Sequence, residues 1–206
     1  MLICTIHDFD YSRVDDRCLT HDGCVVDLGC SGWDLFNFFS DKKRIIGVDP
    51  YESKIDGVDF FEGMVGPVNG DVYVHRAGSN TTCFGNIDCE NEEFARVFKM
   101  LSWKNFCKKF EIDKVSFLKI NIEGAEFSLL NSMDSEDFSK IDQIAISLHD
   151  FDVVDDHENI LQNKNLNKNL LSTSLFLLEK EGYHIEKIND QWNWYLAIKD
   201  NDGNLS

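Results

Sequence analysis

"CVVDLGCSGWDLFNFFSDKKRIIGVDP", residues 24 to 50, reads as strand, turn, helix, strand. The run from Cys24 to Leu28 is short, apolar and valine-rich, and Gly29 closes it. Leu35, Phe36 and Phe39 then recur at helical spacing. "RIIGVDP" is a second apolar run, stopped at Pro50, because proline biases the residue before it away from helix and donates no backbone hydrogen bond of its own. Two apolar strands joined through an amphipathic helix make a βαβ unit, which implies parallel strands in a sheet covered on both faces.

The pattern continues outward from this unit. "VDFFEGMVG" (58–66) is a third strand, and "GDVYVHRAG" (70–78), with Val72 and Val74 alternating, is an inserted strand or hairpin. "NEEFARVFKMLSWKNFCKKF" (91–110) has an acidic start, a basic end and an apolar stripe through Phe94, Val97, Leu101, Phe106 and Phe110, so it reads as one or two helices. "FLKINIEGAEFSLL" (117–130) is a fourth strand running into a helix, and "IDQIAISLHDF" (141–151) a fifth strand. The Asn-rich "NILQNKNLNKN" (159–169) reads as a surface loop. "LLSTSLFLLEKEG" (170–182) is a helix stopped by Gly182, and "YHIEKIND" with "WNWYLAIKD" forms an antiparallel hairpin. The expected fold is α/β: a Rossmann-like, doubly wound, mostly parallel sheet with a C-terminal antiparallel hairpin. The expected organisation is one domain over 1–206, with an N-terminal extension (1–23), a cofactor-binding core (24–150) and a C-terminal loop, helix and hairpin (151–206).

Composition narrows the partners. Thirty-seven Asp and Glu against twenty Lys and Arg leave a charge of −17, a field that repels nucleic-acid phosphates and anionic lipid. The longest basic cluster is "DKKR", so no nucleic acid is expected as partner. Seven cysteines without a Cys-x-x-Cys pair point to reduced, structural thiols and to no metal site. No apolar run approaches the roughly 18 residues of a membrane span, and no N-terminal stretch resembles a signal peptide, so a cytoplasmic protein is expected. Oligomeric state is not legible in the sequence.

In an open parallel sheet, ligands lie at the carboxyl ends of the strands where strand order reverses. The loop after the first strand is Asp27, Leu28, Gly29, Cys30, Ser31, Gly32, Trp33, and Asp49 follows Gly29 by twenty residues, where an acidic side chain accepts hydrogen bonds from ribose hydroxyls. A nicotinamide dinucleotide is the first candidate, but the full Gly-x-Gly-x-x-Gly is absent, and Asp34 in the first turn of the helix repels a pyrophosphate. S-adenosylmethionine (SAM) carries ribose and adenine without phosphate, and its sulfonium is positive. It suits an acidic glycine loop better.

These segments resemble the class I SAM-dependent methyltransferases, and more narrowly the FkbM type. "VVDLG" resembles that family's first motif, "GVDP" its acidic residue before proline, "FLKINIEGAEFSLL" its Lys-x-Asp-x-Glu-Gly-x-Glu segment, and "IAISLHDF" its strand ending near a histidine. Two positions depart: Asn121 stands where the family usually has Asp, and Trp33 where it usually has Gly, with Gly32 one position early. The resemblance implies methyl transfer from SAM to an oxygen, with a small molecule or sugar as acceptor. It places Asp27, Gly29, Cys30, Ser31, Gly32 and Trp33 around the methionine part of SAM, Asp49 on its ribose, and Glu62, Gly63 and Met64 near the adenine. Asn121 counts with the cofactor-binding residues.

Methyl transfer requires the acceptor oxygen in line with the methyl–sulfur bond in a water-poor pocket. A base that takes the hydroxyl proton adds about 10²- to 10⁴-fold. Glu123 and His149 stand at the right strand ends, either for that role or, respectively, for holding the loop or the SAM amino group and for capping a strand. Glu126 suits the dipole of the following helix. A divalent ion on Asn121, Glu123, His149 and Asp150 or Asp152 ranks below a metal-free site. Asn80 and Thr81, in the polar stretch 77–83, are candidates to close over the acceptor.

Overall fold

A computed structural model describes residues 9, 11–77, 80–83, 95–122, 124–148, 164–189 and 193–200. One helical turn, α1 (Arg17–Thr20), precedes β1 (Cys24–Leu28), and α2 (Asp34–Phe39) crosses to β2 (Ile45–Asp49). The two strands pair in parallel, Val25 beside Ile45 through Leu28 beside Val48, so the βαβ unit forms as its sequence implies. β3 (Asp59–Glu62) joins β2 in parallel.

The chain then leaves this sheet. β4 (Met64–Gly66), β5 (Gly70–Ala77), β6 (Asn80–Cys83) and β7 (Ala95–Ser102) form a second sheet in the order β4-β7-β5-β6. It is followed by α3 (Trp103–Lys109), β8 (Val115–Ile120), α4 (Glu126–Ser132), α5 (Ser135–Ser139), β9 (Gln143–Ser147), α6 (Lys164–Lys180), β10 (Tyr183–Asn189) and β11 (Trp194–Lys199). The main sheet has the order β10-β11-β9-β8-β1-β2-β3. β1, β2, β3, β8 and β9 are parallel, β11 runs against β9, and β10 against β11. The C-terminal hairpin thus extends the main sheet.

Both faces of this sheet are covered. On one, Val26, Leu28, Ile46, Leu118 and Ile144 pack with Phe106 of α3, Leu130 of α4, Phe138 of α5 and Leu178 of α6. On the other, Val25, Phe117 and Trp194 pack with Phe9, Cys18 of α1 and Leu35 and Phe39 of α2. The N-terminal segment is therefore a sheet cover, tied down by paired bonds between Gln143 and the Asp15 backbone at 3.1 and 2.9 Å. Among the described residues, no helix is long and apolar enough to cross a membrane.

Three expectations are corrected. Residues 58–66 are two strands in two sheets, because Gly63 turns the chain where a Cβ would lie 2.6 Å from the Lys99 carbonyl oxygen and as close to the Phe61 ring. Only glycine passes so near another backbone. Residues 95–102 of the span read as helical are strand β7. Phe98 and Met100 pack against Tyr51, Met64 and Val72, while Val97 is exposed and Lys99 pairs with Asp71 on β5, which is period two. The helical spacing of Val97 and Leu101 is coincidental, and the helix starts only where Ser102 caps it by accepting from the Asn105 N–H. α6 begins at Lys164, inside the segment read as loop. Packing of Leu170, Leu171, Leu175 and Leu178 against the core carries a helix that its asparagines disfavour.

Candidate cofactor cleft

Strand order reverses between β1 and β8, so their carboxyl ends frame the cleft. The two ends nearly touch. Asn121 N–H donates to the Leu28 carbonyl at 3.0 Å, and a Cβ on Gly29 (φ 80°) would lie 2.0 Å from the Asn121 carbonyl oxygen. Gly29 N–H in turn donates to the Val48 carbonyl at 2.8 Å, which ties this loop to β2.

Beneath the loop lies a buried ion pair. Asp27 and Lys119 are register partners on adjacent parallel strands, and Lys119 Nζ donates to Asp27 Oδ1 at 2.7 Å and to the Gly29 carbonyl at 3.0 Å. Burial pushes the Asp27 carboxyl above the ordinary carboxylate range, and the Lys119 charge opposes that shift. Asp27 Oδ2 has no hydrogen-bond partner among the described residues. Asp27 is thus a strut under the glycine loop, and it does not line the pocket.

Asp49 closes β2. Its Oδ1 accepts the N–H groups of Tyr51 at 2.8 Å and Glu52 at 2.9 Å, holding the turn that leads away from Pro50. Burial raises its pKa, against the lowering effect of those two bonds. Trp33 takes the left-handed conformation (φ 55°) that a glycine adopts freely, at a cost of about 1–2 kcal/mol. The backbone shape that glycine would give is thereby kept, and the indole is buried. It lies on Gly47, where a Cβ would be 2.5 Å from its ring carbons, and its Nε1–H donates to the Ser53 carbonyl at 3.2 Å.

The pocket at these strand ends has a volume of about 70 Å³. Gly29, Asp49, Gly63, Met64 and Asn121 line it, as do Val48, Pro50, Tyr51, Val65, Ile122 and Ala125. That volume is well under the roughly 300–1,000 Å³ of a complete ligand pocket, which is room for about one ring system. A larger hollow of about 330 Å³ lies between α3 and α5, at the amino end of β8, lined by Lys104, Lys140 and Glu136 among others. Its charges include two exposed ion pairs, Lys104 with Asp134 and Lys140 with Glu136, and it lies at the opposite end of the strands from an α/β ligand site.

The expected site residues separate accordingly. Gly29, Asp49, Gly63, Met64 and Asn121 come together at the pocket. Cys30 and Trp33 face the core with α2, Ser31 is exposed, Gly32 N–H donates to Glu52 Oε2, and Glu62 stands exposed beside the pocket rather than in its wall. Glu123 and His149 lie outside the described residues, as do Asp150 and Asp152. Asn80 and Thr81 are on β6, with side chains outside those described. Burial pushes the thiol of Cys24 up to about 11 and those of Cys18 and Cys107 up to about 12, which suits structural cysteines.

Two residues of the Lys119–Glu126 segment act in ways the sequence reading did not assign to them. Lys119 is one; the signal was a lysine inside an apolar strand. Glu126 is the other. Its side chain is fully buried at the start of α4, where Oε1 accepts the Ile122 N–H and Oε2 the Gly124 N–H, both at 2.9 Å. It shapes the loop carrying Asn121 and Ile122 into the pocket, with Gly124 supplying the φ of 96° the bend requires. Glu126→Gln replaces one acceptor by an amide that faces an N–H. It is expected to cost about 1.5–3 kcal/mol, the scale of a charge-assisted hydrogen bond, measured by denaturant unfolding.

Comparison with known proteins agrees with this architecture. The chain is similar in fold to the crystal structure of Methyltransferase FkbM from Methylobacillus flagellatus KT, with a TM-score of 0.52 at 16% identity over 86% of this chain. The match spans 43% of that protein, so this chain corresponds to less than half its length. Among curated protein sequences none matches. The family model described as the methyltransferase FkbM domain matches residues 65–185, more than half of the chain, including the Lys119–Glu126 segment. The chain belongs to the FkbM methyltransferase domain family.

Proposed function

We propose that this protein is a SAM-dependent O-methyltransferase acting on a hydroxyl of a small-molecule or glycan acceptor. The observation that carries this reading is the pocket itself: one half-buried carboxylate, Asp49, set among apolar walls, with no basic residue among the described residues that line it. Such a wall has room for one ring of a nucleoside, with Asp49 placed for ribose hydroxyls, and offers nothing to a pyrophosphate. The donor set therefore fits SAM, which when bound supplies a methyl group on a cationic sulfur.

The chain's own residues supply binding, orientation and proton removal. Asp49 accepts from the ribose hydroxyls, while Met64, Val65, Ile122 and Ala125 bury the base. Gly29 and Gly63 let backbone approach the ligand. Glu123 and His149, within three residues of the carboxyl ends of β8 and β9, are assigned to the acceptor hydroxyl, one of them taking its proton. Asn80 and Thr81, on β6 of the second sheet, are assigned to close over the acceptor.

A second reading has one observation behind it. Asn121 lines the pocket as a neutral amide where the family has a carboxylate, which favours a protein that binds SAM without turnover. A thermal-shift panel of SAM, S-adenosylhomocysteine and NAD tests the nucleoside reading: stabilisation by the first two and none by NAD is expected, and the reverse would reject it. Methyl transfer across a panel of hydroxyl compounds then separates the enzyme from the binding protein. Asp49→Ala is expected to weaken SAM binding at least tenfold, about 1.4 kcal/mol. An unchanged affinity would remove the ribose assignment.

A further inference from the structure

We infer that Glu52 is a positioning residue that joins the glycine loop to the Asp49 turn, so that the loop after β1 sets where the Asp49 carboxylate stands. The inference rests on the proposed nucleoside pocket and concerns how that pocket is held. Glu52 makes three bonds in three directions. Its backbone N–H donates to Asp49 Oδ1 at 2.9 Å, its Oε2 accepts the Gly32 N–H at 3.2 Å, and its Oε1 accepts the Ser53 N–H at 3.0 Å. The Trp33 indole N–H, donated to the Ser53 carbonyl at 3.2 Å, makes a second link between the same two segments. One connected set of bonds thus runs from residues 32 and 33, through 52 and 53, to the carboxylate of Asp49.

Asp49 depends on this connection because its placement is not fixed by packing alone. Both bonds to Oδ1 come from the turn residues Tyr51 and Glu52, so Oδ1 is oriented only as well as that turn is oriented. The turn follows Pro50 and is half-buried, and Ser53 and Lys54 beyond it are exposed. Its Tyr51 end is anchored by packing on Phe98, and its Glu52 end by the pair of bonds to residues 32 and 33. The Glu52 charge also raises the Asp49 pKa, though less than burial does, so the two carboxylates are close enough to sense each other. Glu52 does not line the pocket, and its effect on a ligand must pass through Asp49.

The test is calorimetric titration of adenosine and of S-adenosylhomocysteine into the wild type, Glu52→Ala and Glu52→Gln, with thermal denaturation of each. Glu52→Ala removes both side-chain bonds and is expected to weaken the two ligands by the same factor, about tenfold, the scale of one charge-assisted hydrogen bond. Glu52→Gln keeps an acceptor for the Gly32 N–H and is expected to stay within about threefold of wild type. A purely structural role would lower the melting temperature of Glu52→Ala and leave both affinities unchanged, which would overturn the inference. A loss confined to S-adenosylhomocysteine would overturn it too, since it would mean direct contact with the amino-acid end of the ligand. A wild type that binds neither ligand would instead reject the nucleoside pocket on which the inference rests.

Discussion

Lys119→Met is expected to destabilise the protein by about 3–5 kcal/mol at neutral pH, the cost of leaving one member of a buried ion pair without its partner. Asp27 is 1% exposed, and Lys119 supplies the bond to Oδ1, while Oδ2 already has no partner among the described residues. The loss should depend on pH in a direction the burial fixes. Burial raises Asp27 above its ordinary value of 3.8, so the folded chain holds this proton more tightly than the unfolded chain. Stability from this group is complete below the ordinary value and falls as pH rises through the raised one. Removing Lys119 raises the folded value further, so the deficit is largest at neutral pH and shrinks as pH is lowered toward about 4. Asp27→Asn in the same chain should recover most of the loss at neutral pH. Urea unfolding of the single and double variants at both pH values checks this; an equal deficit at both, with no recovery, would contradict it.

Gly29→Ala carries the second large effect, and Gly32→Ala three residues away is its control. Both glycines have positive φ, 80° and 79°, so each alanine carries a backbone strain of about 1–2 kcal/mol. Around Gly32 a Cβ meets nothing within 4 Å, and strain is the whole cost. At Gly29 the Cβ would stand 2.0 Å from a main-chain oxygen, Asn121 O, which cannot rotate away as a side chain does. The ends of β1 and β8 must then separate, breaking the Asn121-to-Leu28 bond and displacing the Lys119 bond to the Gly29 carbonyl. A loss of at least about 4 kcal/mol is expected, in the range reserved for core disruption. Any Gly29→Ala protein that folds should also lose SAM binding. Equal stability of the two variants would show that the strand ends are not held as closely as described.

The main sheet was legible because its central strands are buried on both faces and read as short, mainly apolar runs, as in Cys24–Leu28 and Gln143–Ser147. The second sheet was only half legible. Val72 and Val74 showed a strand-like alternation in sequence, whereas Val97 and Leu101 happened to fall at helical spacing within a strand. For the site, the Gly29–Asp49 spacing sufficed to bring those two residues to one pocket, since one βαβ unit fixes both ends. The partnership of Asp27 and Lys119 was not visible, because the two are 92 positions apart and meet only through strand register. Glu126 was rightly placed in the first turn of a helix, but its two acceptors serve a loop whose return at Gly124 local sequence does not display.

The central claim is that the carboxyl ends of β1, β2 and β8 hold the nucleoside of SAM. A crystal structure of the protein with S-adenosylhomocysteine tests it most directly. The expected result is a ribose whose hydroxyls bond to Asp49, with the adenine against Met64 and Ile122 and the chain of the ligand passing Gly29. Ligand seated in the hollow between α3 and α5, or a ribose away from Asp49, would contradict it.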